Sequence, residues 1–351
     1  MQPNSTIMNK IINPNMIVLG RELRGLTQAD LASKIKLTPA TLSKMELSSL
    51  GIAKEHFDNI LKSLHLPESF FYQEGEKMPP SMTYRKRQVV SQKILSPIEA
   101  QVNICRLQIN KVLEQLKLEQ PDLPVLDLSK YETPIKAARQ LRKEWGLKEP
   151  IIKNLVQLLE SKGILITSFN FGTNRVDAQS ILTETKHPII FTNRALLGDR
   201  QRFTLAYELG HLVMHLYTSP SLDREVSHEA NLFAAEFLMP EKEIRPDFAG
   251  NITVARLGEL KKKWKVSMQS LLYRADDLGF LTPNQKRYLL QQFNQMKIRR
   301  REPPELDIAK ETPILMKTLI TKYKTKMKMD ITELSAFFNI YSDEFINFYG
   351  Q

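Results

Sequence analysis

The chain has 351 residues, 25% charged and 42% hydrophobic, which is ordinary for a soluble globular protein and enough for two or three domains. Its formal net charge of +11 points to an acidic partner, nucleic acid first, although a solvated basic surface would carry the same charge. A single cysteine, Cys105, excludes an internal disulfide framework and a Cys-rich metal site and fits a reducing cytoplasm. No stretch approaches the ~18 consecutive apolar residues of a membrane span, and the first residues lack the charged-then-apolar layout of a signal peptide. The expectation is a cytoplasmic protein with no membrane partner.

Short helices are predicted from Asn15 to about Gln73. On the first, Met16, Leu19 and Leu23 face a core, and the helix ends near Gly25. Thr27 caps a helix beginning at Gln28, with Asp30 at its third position and Leu31, Ala32 and Ile35 inward. After Lys36 and Leu37, Thr38 is a second cap, Pro39 takes the first helical position, and Leu42 and Met45 turn inward. Leu61, Leu64 and Leu66 close the core. Cap, helix, tight turn, cap and helix make a helix-turn-helix. The run G-L-T-Q-A-D-L-A-S-K-I-K-L-T-P-A-T-L-S-K-M-E resembles the phage-repressor-like (XRE) DNA-binding family, over residues 13–75. The resemblance implies a second helix entering the major groove of double-stranded DNA by its N-terminal end. Thr38, Ala40, Thr41, Ser43 and Lys44 would then face the DNA, and Gln28 would bond a phosphate. Lys44 is the one long basic side chain there that could read guanine, so base readout is expected to be modest.

Residues 76–150 read as a linker and helical region. Met78 to Gln88 contains two prolines and the basic run Arg85-Lys86-Arg87. One long helix is predicted from Ser96 to Lys117, with Cys105 as a packing residue, and a break at Pro121–Pro124 precedes a helix capped by Thr133. Over 151–265, a helix from Ile151 to Lys162 ends at Gly163. Short β-branched or aromatic runs, Ile164–Phe169, Gln179–Thr183 and Pro188–Asn193, then read as strands, with His187 at the surface. Helices follow at Arg202–His215 and from Glu229 to the stop at Pro240, then at Thr253–Lys263. Residues 266–351 form a helical C-terminal region, beginning with Ser267–Leu278 and ending in a tail from Pro313 to Tyr349. The fold class is mainly α with a small β-sheet (α+β), and the N-terminal domain has five helices.

The helix at 202–215 carries the chemistry. In H-E-x-x-H, two histidines one turn apart hold a zinc ion, and the glutamate activates the metal-bound water. Here Glu208 and His211 hold the second and fifth positions, but Tyr207 stands at the first. Leu205, Leu209, Leu212 and Leu216 would seat the helix in a core. The pair R-F-T-L-A-Y-E-L-G-H and E-A-N-L-F-A-A-E-F-L-M-P resembles the signature of the ImmA/IrrE family of metallo-endopeptidases, with a zincin-like domain. The run W-K-V-S-M-Q-S-L-L-Y-R-A-D-D-L-G resembles its long members that carry an N-terminal helix-turn-helix. The resemblance implies zinc, Glu208 as general base and Glu229 as third ligand, with Glu225 as the fallback.

Three arrangements are open. A neutral phenol, pKa ~10, replaces imidazole poorly, so zinc is absent or weakly held and the domain serves as a sensor or a scaffold for a partner. Alternatively His215, one turn beyond His211, or His228 rebuilds the ligand set, or Tyr207 binds as phenolate. The first is preferred. It makes the chain a DNA-binding transcriptional regulator with a degenerate metallopeptidase-like domain. The resemblance implies mobile-element, stress-response or toxin–antitoxin settings, with a toxin or regulatory protein as partner in the antitoxin form, and helix-turn-helix readers bind as homodimers. The alternative is an active zinc endopeptidase that cleaves a repressor or other regulatory protein.

Overall fold

Polar side chains cap the starts of the first three helices of the N-terminal domain. In the computed structural model, which describes residues 11–78, 90–216 and 224–350, this domain comprises α1 (Pro14–Leu23), α2 (Gln28–Lys34), α3 (Pro39–Glu46), α4 (Lys54–Leu64) and a 3-10 turn, Glu68–Tyr72. Thr27 Oγ1 accepts from Asp30 N at 3.1 Å, and Asp30 Oδ2 accepts from Thr27 N at 2.8 Å. This reciprocal capping box satisfies two backbone donors at the start of α2. Thr38 Oγ1 accepts from Thr41 N at 3.1 Å, with Pro39 in the first turn of α3. Met16, Leu19, Leu31, Leu42, Ile60 and Leu64 are fully buried between these helices. The basic run Arg85-Lys86-Arg87 lies outside the described residues.

Several helix starts differ from the sequence expectation, among them those of the helix expected from Arg202, which begins at Gly198, and of two others upstream of it. The long helix α5 spans Gln92–Leu116 and takes Pro97 inside it. A proline reads naturally as a first-turn residue, but burial of Val90, Leu95 and Ile98 holds an extra turn upstream and outweighs the backbone bond that Pro97 cannot donate. Next come a single turn, α6 (Leu128–Tyr131), and α7 (Pro134–Glu144), capped by Thr133. The helix expected from Ile151 begins later, as α8 (Leu155–Ser161), because the Asn154 side chain accepts from Gln157 N at 2.9 Å and caps it. Gly163, at φ +78°, follows α8 in the left-handed conformation a C-terminal glycine suits.

The strands are β1 (Leu165–Phe169), β2 (Ala178–Leu182) and β3 (Pro188–Asn193). Their order is β1-β3-β2, with β3 parallel to β1 and antiparallel to β2. Ile189 and Phe191 face one core and Ile190 the other, as alternation requires. Helix α9 (Gly198–Met214) packs on β2 and β3, and α10 (Val226–Leu238) packs on α9. At Gly210 the two helices approach so closely that an added Cβ would lie 3.0 Å from Phe233. The turn α11 (Glu241–Ile244), then α12 (Val254–Trp264), α13 (Met268–Asp277) and α14 (Pro283–Gln295), complete this second core.

The tail, α15 (Leu315–Met327), α16 (Ile331–Phe337) and α17 (Ser342–Tyr349), returns to the first core. It packs on α5 and β1, and Arg24 Nη1 donates to Glu344 Oε1 at 2.6 Å. The strap before it, residues 303–314, is tied to α9. The Gln201 side-chain amide donates to the Glu311 carbonyl and accepts from its N–H, both at 2.9 Å. The Glu311 carboxylate pairs with buried Arg202 and accepts from Val156 N at 2.7 Å. Gly198 admits the strap backbone, since an added Cβ there would lie 2.1 Å from the Ile308 carbonyl oxygen. Among the described residues no helix is long and apolar enough to cross a membrane.

Candidate functional site

Two sites follow from these elements. On α3, Thr38, Ala40 and Lys44 are exposed and Thr41 and Ser43 half-buried. The Thr38 and Thr41 hydroxyls lie 2.8 Å apart, so the first turn presents a small hydrogen-bonded polar pair. The Gln28 Nε2 donates to Glu46 Oε2 at 2.7 Å, and Glu46 also accepts from Arg21 Nε at 2.7 Å. These bonds clamp the start of α2 to the end of α3. They use one of the two amide hydrogens of Gln28, and a phosphate contact would draw on the other.

The second site sits where α9, α10 and β2 meet. Tyr207, Glu208 and His211 are buried on α9, with Glu208 and His211 wholly inaccessible. Ser180 of β2 donates to Glu208 Oε2 at 2.7 Å and fixes that carboxylate. The Tyr207 ring meets the His211 ring edge-on, centroids 4.7 Å apart. His211 Nδ1 lies 2.8 Å from His215 Nδ1, and His215 Nε2 lies 2.9 Å from Glu229 Oε2. Arg224 closes the row with two bonds to Glu229, Nη2 to Oε2 at 2.6 Å and Nε to Oε1 at 3.0 Å. His215 thus stands between the two side chains that the resemblance assigned to zinc.

The charges in this row follow from those contacts. Burial lowers the His215 pKa, against the pull of the Glu229 carboxylate, and so favours a neutral ring. Burial would raise Glu229, but hydrogen bonds from Arg224 and His215 outweigh it and hold the carboxyl below the usual range. A carboxylate clamped by a guanidinium is a compensated anion, already partnered in the way a metal would partner it. Among the described residues no three His, Cys, Asp or Glu side chains converge as a metal-binding group. As arranged, Tyr207 presents a phenol where zinc prefers an imidazole, the His211 and His215 rings meet nitrogen to nitrogen, and Glu229 is held by Arg224. Glu225 is exposed at the start of α10 and His228 is exposed beside Glu229.

Sequence reasoning missed two members of this site. Ser180 was read only as part of a strand, and Arg224 lies in a connection with no periodic signal. His187 needs correction: it is not a surface residue but 4% exposed, with Nδ1 3.0 Å from Thr185 Oγ1 and Nε2 3.0 Å from the Glu119 carbonyl. Burial pushes its pKa down. A depressed folded-state pKa stabilises the fold above the unfolded value, ~6.5, and that contribution is lost as pH falls through the folded value. Unfolding titrations are expected to show stability declining below that pH, and His187→Gln should reduce the slope of the decline.

A helix-turn-helix joined to a zincin-like pair of helices on a small sheet defines a two-module protein, a DNA-binding domain followed by a metallopeptidase-like domain. Residues 19–71 match the family described as helix-turn-helix, and residues 159–276 match that described as IrrE N-terminal-like domain. The chain is also 33% identical, over 102 residues, to the radiation response metalloprotease IrrE of Deinococcus radiodurans. That alignment takes in 26% of this chain and 31% of the relative, so the chain spans about a third of the length of the relative it matches.

Proposed function

We propose that the chain is a transcriptional regulator that binds operator DNA through α3 as a homodimer and whose peptidase-like half acts by binding rather than by cleavage. Its specific form is the repressor–antitoxin of a toxin–antitoxin or mobile-element system, with the second half holding a toxin or other regulatory protein in the cytoplasm. One observation carries this reading. Tyr207 replaces an imidazole, and the neighbouring Glu229 is spent on Arg224 and His215. Zinc is therefore expected to be absent or weakly held, with Tyr207, His211 and Glu229 as the side chains any metal would meet.

The competing reading is a working zinc endopeptidase with Glu208 as general base, and it draws on the buried, Ser180-held carboxylate. Glu208→Gln separates the two, because it keeps the shape and the Ser180 bond but removes the base. Promoter repression unchanged by Glu208→Gln supports regulation by binding, and its loss overturns it. In a binding titration at several salt concentrations, Ser43→Ala with Lys44→Ala should weaken binding to the chain's own promoter DNA and make log affinity fall less steeply with log salt, by about one unit. Unchanged affinity and slope would remove α3 from the groove.

A further inference from the structure

The first two turns of α9, the outer side of α10, the length of α13 and the segment 299–302 line a cleft of about 460 Å³. Neither Glu208 nor His211 lines it, so it is distinct from the site above. Its size falls within the range of small-molecule sites. Its inner carboxylates, Glu302 and Asp199, share one cation: Lys261 Nζ bonds Glu302 at 2.6 Å and also pairs with Asp199. Its rim is basic. Arg299 and Arg300 line the cleft and make no ion pair among the described residues. Arg200, on the facing wall, is committed to Asp177.

The rest of the lining is of a different kind. Phe203 from α9 and Tyr273 from α13 put aromatic rings on two walls, and Tyr273 stays 37% exposed. Asn231 and Asp277 add side-chain oxygens that can accept from a hydroxyl or an amine. Unpaired arginines suit phosphate, which they meet with paired N–H groups. Aromatic rings suit a flat base, and carboxylate and amide oxygens suit a sugar diol. An acidic peptide would use the arginines but leave the rings and the enclosed shape unexplained.

We propose that this cleft binds a nucleotide, its phosphates on Arg299 and Arg300, its base against Phe203 and Tyr273, and its ribose toward Asn231 and Asp277. The site does not depend on whether the neighbouring centre holds zinc or on which DNA the first domain reads.

The test is calorimetric titration of the full chain, free of DNA, with ADP, GDP, CDP and UDP in turn. At least one is expected to bind with one-to-one stoichiometry, and more tightly than its parent nucleoside or pyrophosphate by about tenfold or more. Arg299→Ala with Arg300→Ala should weaken binding about tenfold, and Tyr273→Ala should do so independently. These side chains are exposed, so the variants should fold, and circular dichroism checks that. If none of the four binds, or if affinity survives in both variants, the proposal fails. Equal affinity for pyrophosphate overturns it in favour of a plain anion site, and binding abolished by Lys44→Ala instead would place the ligand on the DNA-reading face.

Discussion

Tyr207→His is expected to raise zinc affinity by about a hundredfold or more, ~3 kcal/mol. The new imidazole would stand one helical turn before His211, on the same face of α9, and restore the two-histidine pair that zinc prefers. Structural and catalytic zinc sites draw their binding energy from such complete donor sets, and a missing ligand removes several kcal/mol. The remaining obstacle is Glu229, which must leave Arg224 to serve as third donor. Adding Arg224→Met to Tyr207→His should therefore raise affinity further than Arg224→Met does in the parent chain. Elemental mass spectrometry of protein purified without chelator reads all of these. Near-stoichiometric zinc in the unaltered chain would overturn the reading of a site that works without metal. No zinc in either Tyr207→His protein would mean that His211 and Glu229 do not belong to one donor set.

Glu311→Ala should destabilise the fold by about 3–5 kcal/mol, because it strips the carboxylate from an arginine that is 1% exposed. Arg202 would keep its bond to the Ile152 carbonyl at 2.8 Å, but a neutral acceptor does not balance a buried guanidinium. The Val156 N–H at the start of α8 would lose its acceptor as well. Chemical denaturation measures the loss, and faster proteolysis between residues 303 and 314 would locate it. A change under ~1 kcal/mol, the range of a surface ion pair, would show that the strap is held by its other contacts, those of Gln201, Lys310 and Ile314.

The elements most legible in the sequence were those with a local cause. Thr27, Thr38 and Thr133 each cap the helix expected of them, because a hydroxyl three residues from a backbone N–H acts within one turn. The third strand appears with its expected bounds, Pro188 to Asn193, fixed by a proline and an asparagine. What sequence reading lost depended on distant partners. The extra turn of α5 before Pro97 comes from apolar burial, and the late start of α8 comes from Asn154 rather than from apolar spacing. His187 is interior because Glu119, far away in sequence, offers its carbonyl. At the candidate site, the row of Tyr207, Glu208 and His211 followed from one helix, whereas Arg224 and Ser180 join it from other segments and gave no pattern.

The route of the chain has a consequence for its synthesis. The α1–α4 domain emerges before the peptidase-like half, and short helical domains of this kind form early during translation. Yet Arg24 and His65 are gripped by Glu344 and Tyr341, and α5 is covered by α15. A ribosome must pass α9, the strap and nearly the whole tail before that half of the molecule is closed. A nascent or prematurely terminated chain would hold a DNA-reading head followed by an α5 whose apolar face lies in water, a ready target for chaperones and proteases. Coverage of that face thus reports that the peptidase-like half has been made, so cells would accumulate the regulator with both halves present.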